Sequence, residues 1–440
     1  MTTIERLRVG GIKSINEIEL NPTQINLITG RNNVGKTSLL ESIDLLFNPS
    51  NIEQLRGNLD KIINEGSGAG SIECEYRKGQ MTLDSYDSNS NSNTIHDDIG
   101  LRQPNDSEVL NYSMNIINDV LEINEGYPMA VGTEVTNLEI AQTVSNIRDD
   151  TEEIMSEVIA NLSEEEIISN MKDSMIVLEI DGDMYPYIHL GNGYHNIRRK
   201  AVDRSIDRAI QNIQIESFSE EDDKNIRNTL SHDFRRLLAP RFGGDQFVGD
   251  DPREVEGVSL IRDPKLDSHK TSLSEDRSAI IASDIEDFLK RSDIINNLND
   301  FSFNKIVYTE NGSKHEVPYE FMGDGFKSII GCLWHLFDNR TTENVLLLEE
   351  PDVHMHPGYV EKLIRQLIKL AKEENIQLFI TTHNLDMIEG FLSDPLEESH
   401  GEYLRSNFQI IQMTGKIHRE LGYEQGKEEV QELNSDLRGI

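Results

Sequence analysis

The stretch Gly30-Arg31-Asn32-Asn33-Val34-Gly35-Lys36-Thr37 follows the apolar run Ile25-Asn26-Leu27-Ile28-Thr29 and leads into an amphipathic segment at residues 38–47. The spacing G-x-x-x-x-G-K-[ST], set between a predicted strand and a predicted helix, is that of a phosphate-binding loop. Its glycines let the backbone curl so that successive N–H groups point at a phosphate. Lys36 supplies a point charge for the β and γ oxygens, and Thr37 offers a hydroxyl to Mg2+. Leu39, Leu40, Ile43, Leu46 and Phe47 recur at 3/4 spacing, so the helix that starts at Ser38 turns an apolar stripe to a sheet and its positive end to the phosphates. A nucleotide is expected against Gly30, Arg31, Asn32, Asn33, Val34, Gly35, Lys36, Thr37 and Ser38. A glycine-rich turn with no ligand is the competing reading.

Far downstream, Asn344-Val345-Leu346-Leu347-Leu348 runs into Glu349-Glu350-Pro351-Asp352. An apolar run ending in two acids reads as a buried parallel strand that delivers carboxylates to the C-terminal edge of a sheet. There Glu349 would hold the metal's hydration shell and Glu350 would orient and deprotonate an attacking water. The alternative is a surface turn after a core strand. A third apolar run, Gln377-Leu378-Phe379-Ile380-Thr381-Thr382, ends in His383-Asn384, where a neutral imidazole can contact a γ-phosphate. Thr381, Thr382 and Asn384 are all cap-type residues, so a polar helix cap stands as the alternative.

Together these residues resemble an ATP-binding-cassette-type ATPase of the non-transporter kind, similar to the recombination-repair, chromosome-maintenance and overcoming-lysogenization-defect families. Ile4-Glu5-Arg6-Leu7-Arg8-Val9-Gly10-Gly11-Ile12-Lys13-Ser14-Ile15 resembles those families' first strands, and Leu348 to Pro357 their acidic strand with its trailing His-Pro. Thr382-His383 resembles their switch histidine. Phe321-Met322-Gly323-Asp324-Gly325-Phe326-Lys327-Ser328 occupies the place of their signature loop. The resemblance implies an α/β P-loop NTPase, with an ABC-ATPase-like head that closes on a second copy around ATP and Mg2+. It implies that Gly323, Asp324 and Gly325 of one copy complete the other's site, with Lys36, Glu350 and His383 catalytic and Thr37 and Glu349 on the metal. Two departures fall on the chemistry. Glu349 replaces the Asp usual in the repair and chromosome-maintenance heads, and Gly323 replaces a serine, so slow or partner-dependent hydrolysis is expected.

The head is expected to be split, residues 1–50 with 300–415, around a mixed α+β insertion at 51–299, with an acidic tail at 416–440. No long heptad array suggests a coiled-coil arm. Residues 71–84 and 174–190 alternate like strands, whereas 108–123, 140–159 and 278–298 have helical spacing. Residues 88–94 are a low-complexity loop, and 216–223 and 243–256 mark exposed connections.

The 440 residues suffice for two lobes, and 36% apolar with 28% charged residues is a soluble globular composition. No run approaches the length of a membrane span and the N-terminus carries no apolar signal, so a cytoplasmic location without membrane contact is expected. Cys74 and Cys332 lack metal-ligand spacing and read as packing residues. The 79 acids against 42 bases give a net charge of −37, unlike a duplex-binding protein. Such acidity suits a halophilic host, where molar salt shortens the Debye length to about 3 Å. Arg198-Arg199-Lys200 with Arg204 and Arg208, and Arg235-Arg236 with Arg241, are the best candidates for phosphate-backbone contact, although such clusters are more often solvated helix faces.

Two roles compete, beside a blander reading as a nucleotide-dependent dimerisation module whose hydrolysis is incidental. The first is the ATPase sensor of an intracellular defence or toxin-type system acting through a separate effector, since about fifty residues after His383 leave no room for the nuclease domain of the overcoming-lysogenization-defect relatives. The second is a repair or recombination clamp that grips DNA through the insertion.

Overall fold

The computed structural model describes residues 2–55, 59–64, 66–78, 94–124, 150–211, 220–239, 245–255, 257–262, 275–291, 294–295, 297–339, 344–415, 417–433 and 435–438. Along the chain run β1 (Thr2–Ile12), β2 (Ile15–Leu20), β3 (Ile25–Gly30), α1 (Lys36–Phe47), β4 (Ala69–Lys78) and β5 (Thr94–Arg102). Next come α2 (Asp106–Asn124), α3 (Thr151–Ala160), α4 (Glu164–Met171), β6 (Met175–Ile180), β7 (Asp183–His189), α5 (Asn192–Gln211), α6 (Glu220–Leu237) and β8 (Asp245–Phe247). They are followed by β9 (Val258–Ile261), α7 (Glu275–Arg291), β10 (Leu298–Phe301), β11 (Lys305–Glu310), β12 (Ser313–Pro318), α8 (Asp324–Asn339) and β13 (Val345–Glu349). The last are α9 (Pro357–Glu373), β14 (Gln377–Thr381), α10 (Leu385–Phe391), α11 (Asp394–Asn407), β15 (Phe408–Met413), β16 (His418–Gly422) and α12 (Tyr423–Lys427).

By their contacts these elements form two units, Met1–Asn51 with Gly70–Ile99 and Arg253–Ile440, and Ile52–Ala69 with Gly100–Pro252. The first is built on a six-stranded sheet of order β16-β15-β3-β14-β13-β9. β15, β3, β14, β13 and β9 are parallel, and β16 pairs antiparallel to β15. Every residue of β3, β14 and β15 is buried because both faces of the sheet are covered, which explains why β3 and β14 read as mostly apolar runs rather than alternating ones. In a second, antiparallel layer of order β2-β1-β4, Leu7 and Val9 face inward and Arg6 and Arg8 outward, and a register shift between Ile4 and Arg6 brings Ile4 to the inner face as well. The antiparallel strands β10, β11 and β12 lead into α8 through edge-to-face packing of Phe303 on Phe301, Tyr319 and Trp334, which anchors the chain just before Gly323.

Boundaries differ from the expected ones. Residues 70–99 and 253–299, read as insertion, pack with the first unit, and β9 forms the sheet edge beside β13. With four residues, β9 is too short to stand out as a period. The expected tail is also built in: β16 pairs with β15, and Leu437 is 1% exposed while its carbonyl accepts from Thr29 Oγ1 at 3.0 Å and Gln412 Nε2 at 3.1 Å.

The second unit is the mixed α+β lobe. Its core joins α2 to α6 with Met175 and Ile188 of a β6–β7 hairpin, whose turn Asp181-Gly182 takes positive φ at both positions, the geometry that matches strand twist. The alternating segment 174–190 is this hairpin, and 108–123 is α2. The helix expected over 140–159 is found as Thr151–Ala160, with 140–149 outside the described residues. The helix expected over 278–298 ends at Arg291, and Leu298 belongs to β10. Residues 88–93 and Arg241 also lie outside the described residues. No helix among the described residues is long and apolar enough to cross a membrane.

Candidate active site

The phosphate-loop residues leave β3 at the C-terminal edge of the parallel sheet. Gly30 has φ +140°, and a Cβ there would sit 2.2 Å from the Met413 carbonyl oxygen on the adjacent β15, so no side chain is tolerated. Asn33 and Gly35 also take positive φ, and Gly35 opens α1 without a side-chain cap. The helix N-terminus is thus left for an external anion. Lys36 is 6% exposed and turns its Nζ onto the carbonyls of Gly30 and Arg31, both at 3.0 Å. Burial presses its ammonium below the ordinary lysine range, while Glu350 and then Glu349 act in the opposite direction. Arg31, Asn32 and Asn33 are exposed, Ser38 is buried with its hydroxyl 3.5 Å from Ser14 Oγ, and Thr37 is half-buried.

The pairing order does the next step. Because β14 lies between β3 and β13, three parallel strand ends bring the loop, the acids and His383 to one edge. Thr37 Oγ1 donates to Glu349 Oε1 at 2.5 Å, a contact across 312 positions of sequence. Glu350 has φ +45°, and its N–H donates to the Thr381 carbonyl and to Thr381 Oγ1, both at 3.1 Å, which fixes the turn that presents its carboxylate. Its Oε1 lies 3.0 Å from His383 Nδ1, with both side chains partly open to solvent. Two hard oxygen donors, the Thr37 hydroxyl and the Glu349 carboxylate, meet beside the lysine and the uncapped helix end. That donor set fits Mg2+ carried by a nucleotide polyphosphate.

The residues just after the acids build the turn. Asp352 is 4% exposed and accepts from Thr382 Oγ1 at 2.9 Å; burial raises its carboxyl above the usual range against that hydrogen bond. Asn384 caps α10 by accepting from the Asp386 N–H at 3.0 Å, and His356 caps α9 by accepting from the Gly358 N–H at 3.2 Å. Thr382 and Asn384 therefore do serve as the cap and brace, while His383 projects from the same turn toward Glu350. Gly323 and Asp324 are exposed at the start of α8, and a Cβ on Gly323 would meet open space. At Gly325 a Cβ would come 2.5 Å from the His354 carbonyl oxygen, so this glycine lets α8 lie directly on the acid-bearing turn. Lys327 Nζ is held by the Glu320 carbonyl at 2.7 Å.

A buried brace was not foreseen. Glu41, 8% exposed inside α1, is bridged by Lys13 Nζ and by Arg262 Nη1 at 3.0 Å, tying the loop helix to the ends of β1 and β9. The signal in the sequence was a lone acid beside the apolar stripe of residues 38–47. Arg262 gave none, since β9 itself was not read.

Comparison with known proteins places this geometry. The chain is 22% identical over 403 residues to the Septu protein PtuA of Bacillus thuringiensis, covering 88% of this chain and 74% of that one. It is 33% identical over 122 residues to an uncharacterized protein of Methanocaldococcus jannaschii, covering 27% of this chain and 100% of the other. Among solved structures it is similar to the Smc head domain with an extended coiled coil, bound to the C-terminal domain of ScpA, from Pyrococcus furiosus. The TM-score is 0.41 at 12% identity, over 99% of this chain and 100% of that one. A family model described as the AAA ATPase domain matches residues 3–388, a span that includes the phosphate loop, both acids and His383. With its phosphate loop, parallel sheet and acidic strand inside the matched span, the chain belongs to this family of AAA ATPases.

Proposed function

We propose that the head binds Mg2+ and ATP at the edge formed by β3, β14 and β13 and hydrolyses the γ-phosphate there. The observation that carries this reading is the Thr37–Glu349 contact at 2.5 Å, which sets a P-loop hydroxyl against the first acid of a distant strand. The main-chain N–H groups of Gly30 to Ser38 and the Lys36 ammonium hold the phosphates, and Thr37 and Glu349 hold the metal. When bound, the ion offsets the charge of the β- and γ-phosphate oxygens. Glu350 takes the proton of the attacking water, a contribution of roughly 10²–10⁴-fold for a positioned base. His383, 3.0 Å from the Glu350 carboxylate, orients it and contacts the γ-phosphate. Gly323, Asp324 and Gly325 of a second copy complete the site, Gly323 and Asp324 being exposed at the start of α8. Gly323 brings no hydroxyl, so turnover is slow until a partner acts.

The biological reading is the ATPase and sensor component of a cytoplasmic defence or toxin-type system that works through a separate effector protein. The likeness to a Septu protein over 88% of the chain is in keeping with it. A DNA repair clamp is the competing reading, and it requires ATP-dependent duplex binding by the lone chain that survives raised salt.

Complementation in trans tests the composite site. Lys36→Ala and Gly323→Arg chains, each inactive alone, regain part of the ATP turnover when mixed, because one site of the mixed dimer carries neither change. A mixture as inactive as its components rules the shared site out.

A further inference from the structure

The cations of α5 and α6 in the second unit are of two kinds. Four are neutralised on the spot. Lys200 and Arg204 reach Glu166 at 3.4 and 2.8 Å, Arg208 reaches Glu157 at 2.9 Å, and Arg227 reaches Asp207 at 2.8 Å and Asp223 at 3.0 Å. Arg198 and Arg235 differ: among the described residues neither has a carboxylate partner. Arg198 donates from Nη2 to the backbone carbonyl of Arg235, which brings the two residues together, and its Nε is buried without a hydrogen-bond partner. Between them opens a recess of about 670 Å³ lined by Arg198, Asn228, Ser231, His232, Arg235 and Arg236. Among the described residues no acid lines it; Asp233, 3.8 Å from His232 Nδ1, has its own side chain 3% exposed.

Such a recess is an exception in a chain of net charge −37. Two arginines that line one recess without a counter-ion repel each other, and a buried N–H without a partner is itself destabilising. The strain is visible on Arg198. Burial lowers its pKa, the Tyr194 phenol opposes that, and the Arg235 cation adds to the depression. Tyr194 is itself fixed by donating to the Leu238 carbonyl at 3.2 Å, so Arg198 cannot relax by exchanging partners with it. The exposed Arg235 guanidinium is the planar fork that can take an oxyanion through two parallel hydrogen bonds, whereas the Arg198 Nε–H is buried and its Nη2 is committed to the Arg235 carbonyl. The Asn228 amide, Ser231 hydroxyl and His232 ring add neutral donors at the rim.

We propose that this recess is a phosphate site, taking the phosphate of a nucleic-acid backbone or of a free phosphorylated ligand. It belongs to the second unit, whereas the nucleotide site belongs to the first, and it does not depend on that site's chemistry. The acidic remainder of the protein limits the contact to one or two phosphates rather than a long track. A backbone ligand would therefore give a shallow salt dependence, with a log–log slope near about −2 for two contacts.

The test uses the full-length chain carrying Lys36→Ala, so that the phosphate loop does not report, and two probes: inorganic phosphate followed by calorimetry and a short labelled DNA duplex followed by anisotropy. Arg235→Gln is the main variant, since that side chain is exposed and without a partner. Arg198→Lys is the second, and Arg204→Gln, which loses a cation of equal charge already paired with Glu166, is the control. Arg235→Gln is expected to weaken binding roughly tenfold or more and, with the duplex, to reduce the salt slope by about one. Weakening seen with the duplex alone assigns the site to a phosphodiester backbone, and weakening seen with inorganic phosphate alone assigns it to a free phosphate; either upholds the proposal. Binding of both probes unchanged by Arg235→Gln and by Arg198→Lys overturns it, as does an equal loss in Arg204→Gln.

Discussion

The edge of the parallel sheet and the surface of α5 and α6 handle charge in opposite ways. At the edge, Lys36 is 6% exposed and its partners are backbone carbonyls and carboxylates delivered by strands far away in sequence. On α5, Arg208 and its partner Glu157 have side chains 56% and 50% exposed. The first arrangement is dictated by backbone geometry: Gly30, Gly35 and Glu350 occupy positive-φ positions that only a particular loop or turn requires, so each charge has one place to be. The second is dictated by side-chain reach, in high dielectric, and many alternative pairings would serve as well. A charge at the edge should therefore matter by orders of magnitude and a charge on the helices hardly at all.

Five substitutions probe that contrast. Glu350→Gln should lower single-site ATP turnover by roughly 10²–10⁴-fold while leaving nucleotide affinity near that of the parent, read by steady-state phosphate release beside calorimetry. Lys36→Ala removes charge-assisted hydrogen bonds worth about 3 kcal/mol, so nucleotide affinity should fall about a hundredfold. An affinity within a few fold of the parent would place the phosphates elsewhere. Gly325→Ala forces a methyl group against the His354 carbonyl and should cost about 1–3 kcal/mol in unfolding free energy, whereas Gly323→Ala, facing open space, should stay within about 0.5 kcal/mol. Equal melting curves for the two would mean that α8 does not rest on the acid-bearing turn. Arg208→Ala, the smallest effect, should change stability by no more than about 0.5 kcal/mol.

The same contrast has a pH signature. Asp44, 2% exposed in α1, accepts from Asn48 and Asn51, yet burial dominates and raises its carboxyl pKa. The native state then holds this proton more tightly than the unfolded chain. Its contribution to stability is complete below the ordinary carboxylate value and is lost as pH rises through the raised one. Asp44→Asn should flatten the fall of unfolding free energy over that mildly acidic window in denaturant titrations. An unchanged slope would show that Asp44 ionises as it does in the unfolded chain.

How much was legible in the sequence follows the same division. β3, β13 and β14 were readable because full burial makes them unbroken apolar runs that end directly in chemically distinctive residues, Gly30, Glu349 and His383. Gly323 was read for what it lacks, but Gly325, the glycine under steric constraint, is recognised only once His354 is seen beside it. β9 escaped because its four residues gain their place from pairing with β13 rather than from any pattern of their own, and Arg262 was lost with it. The tail read as acidic because acids recur through it, although β16 pairs with β15 and the Leu437 carbonyl accepts from Thr29 and Gln412. The basic clusters on α5 and α6 read as equivalent, and only the positions of Glu166 and Glu157 separate the paired cations from Arg198 and Arg235.

The account's central claim is a site completed between two copies, and the mass of the Glu350→Gln protein in molar potassium chloride, with and without Mg2+ and ATP, tests it most directly. Blocked hydrolysis should hold the closed state, so the mass should double when Mg2+ and ATP are added and return to that of the nucleotide-free protein when they are removed. A mass that ATP leaves unchanged, in a protein shown by calorimetry to bind it, would contradict the claim.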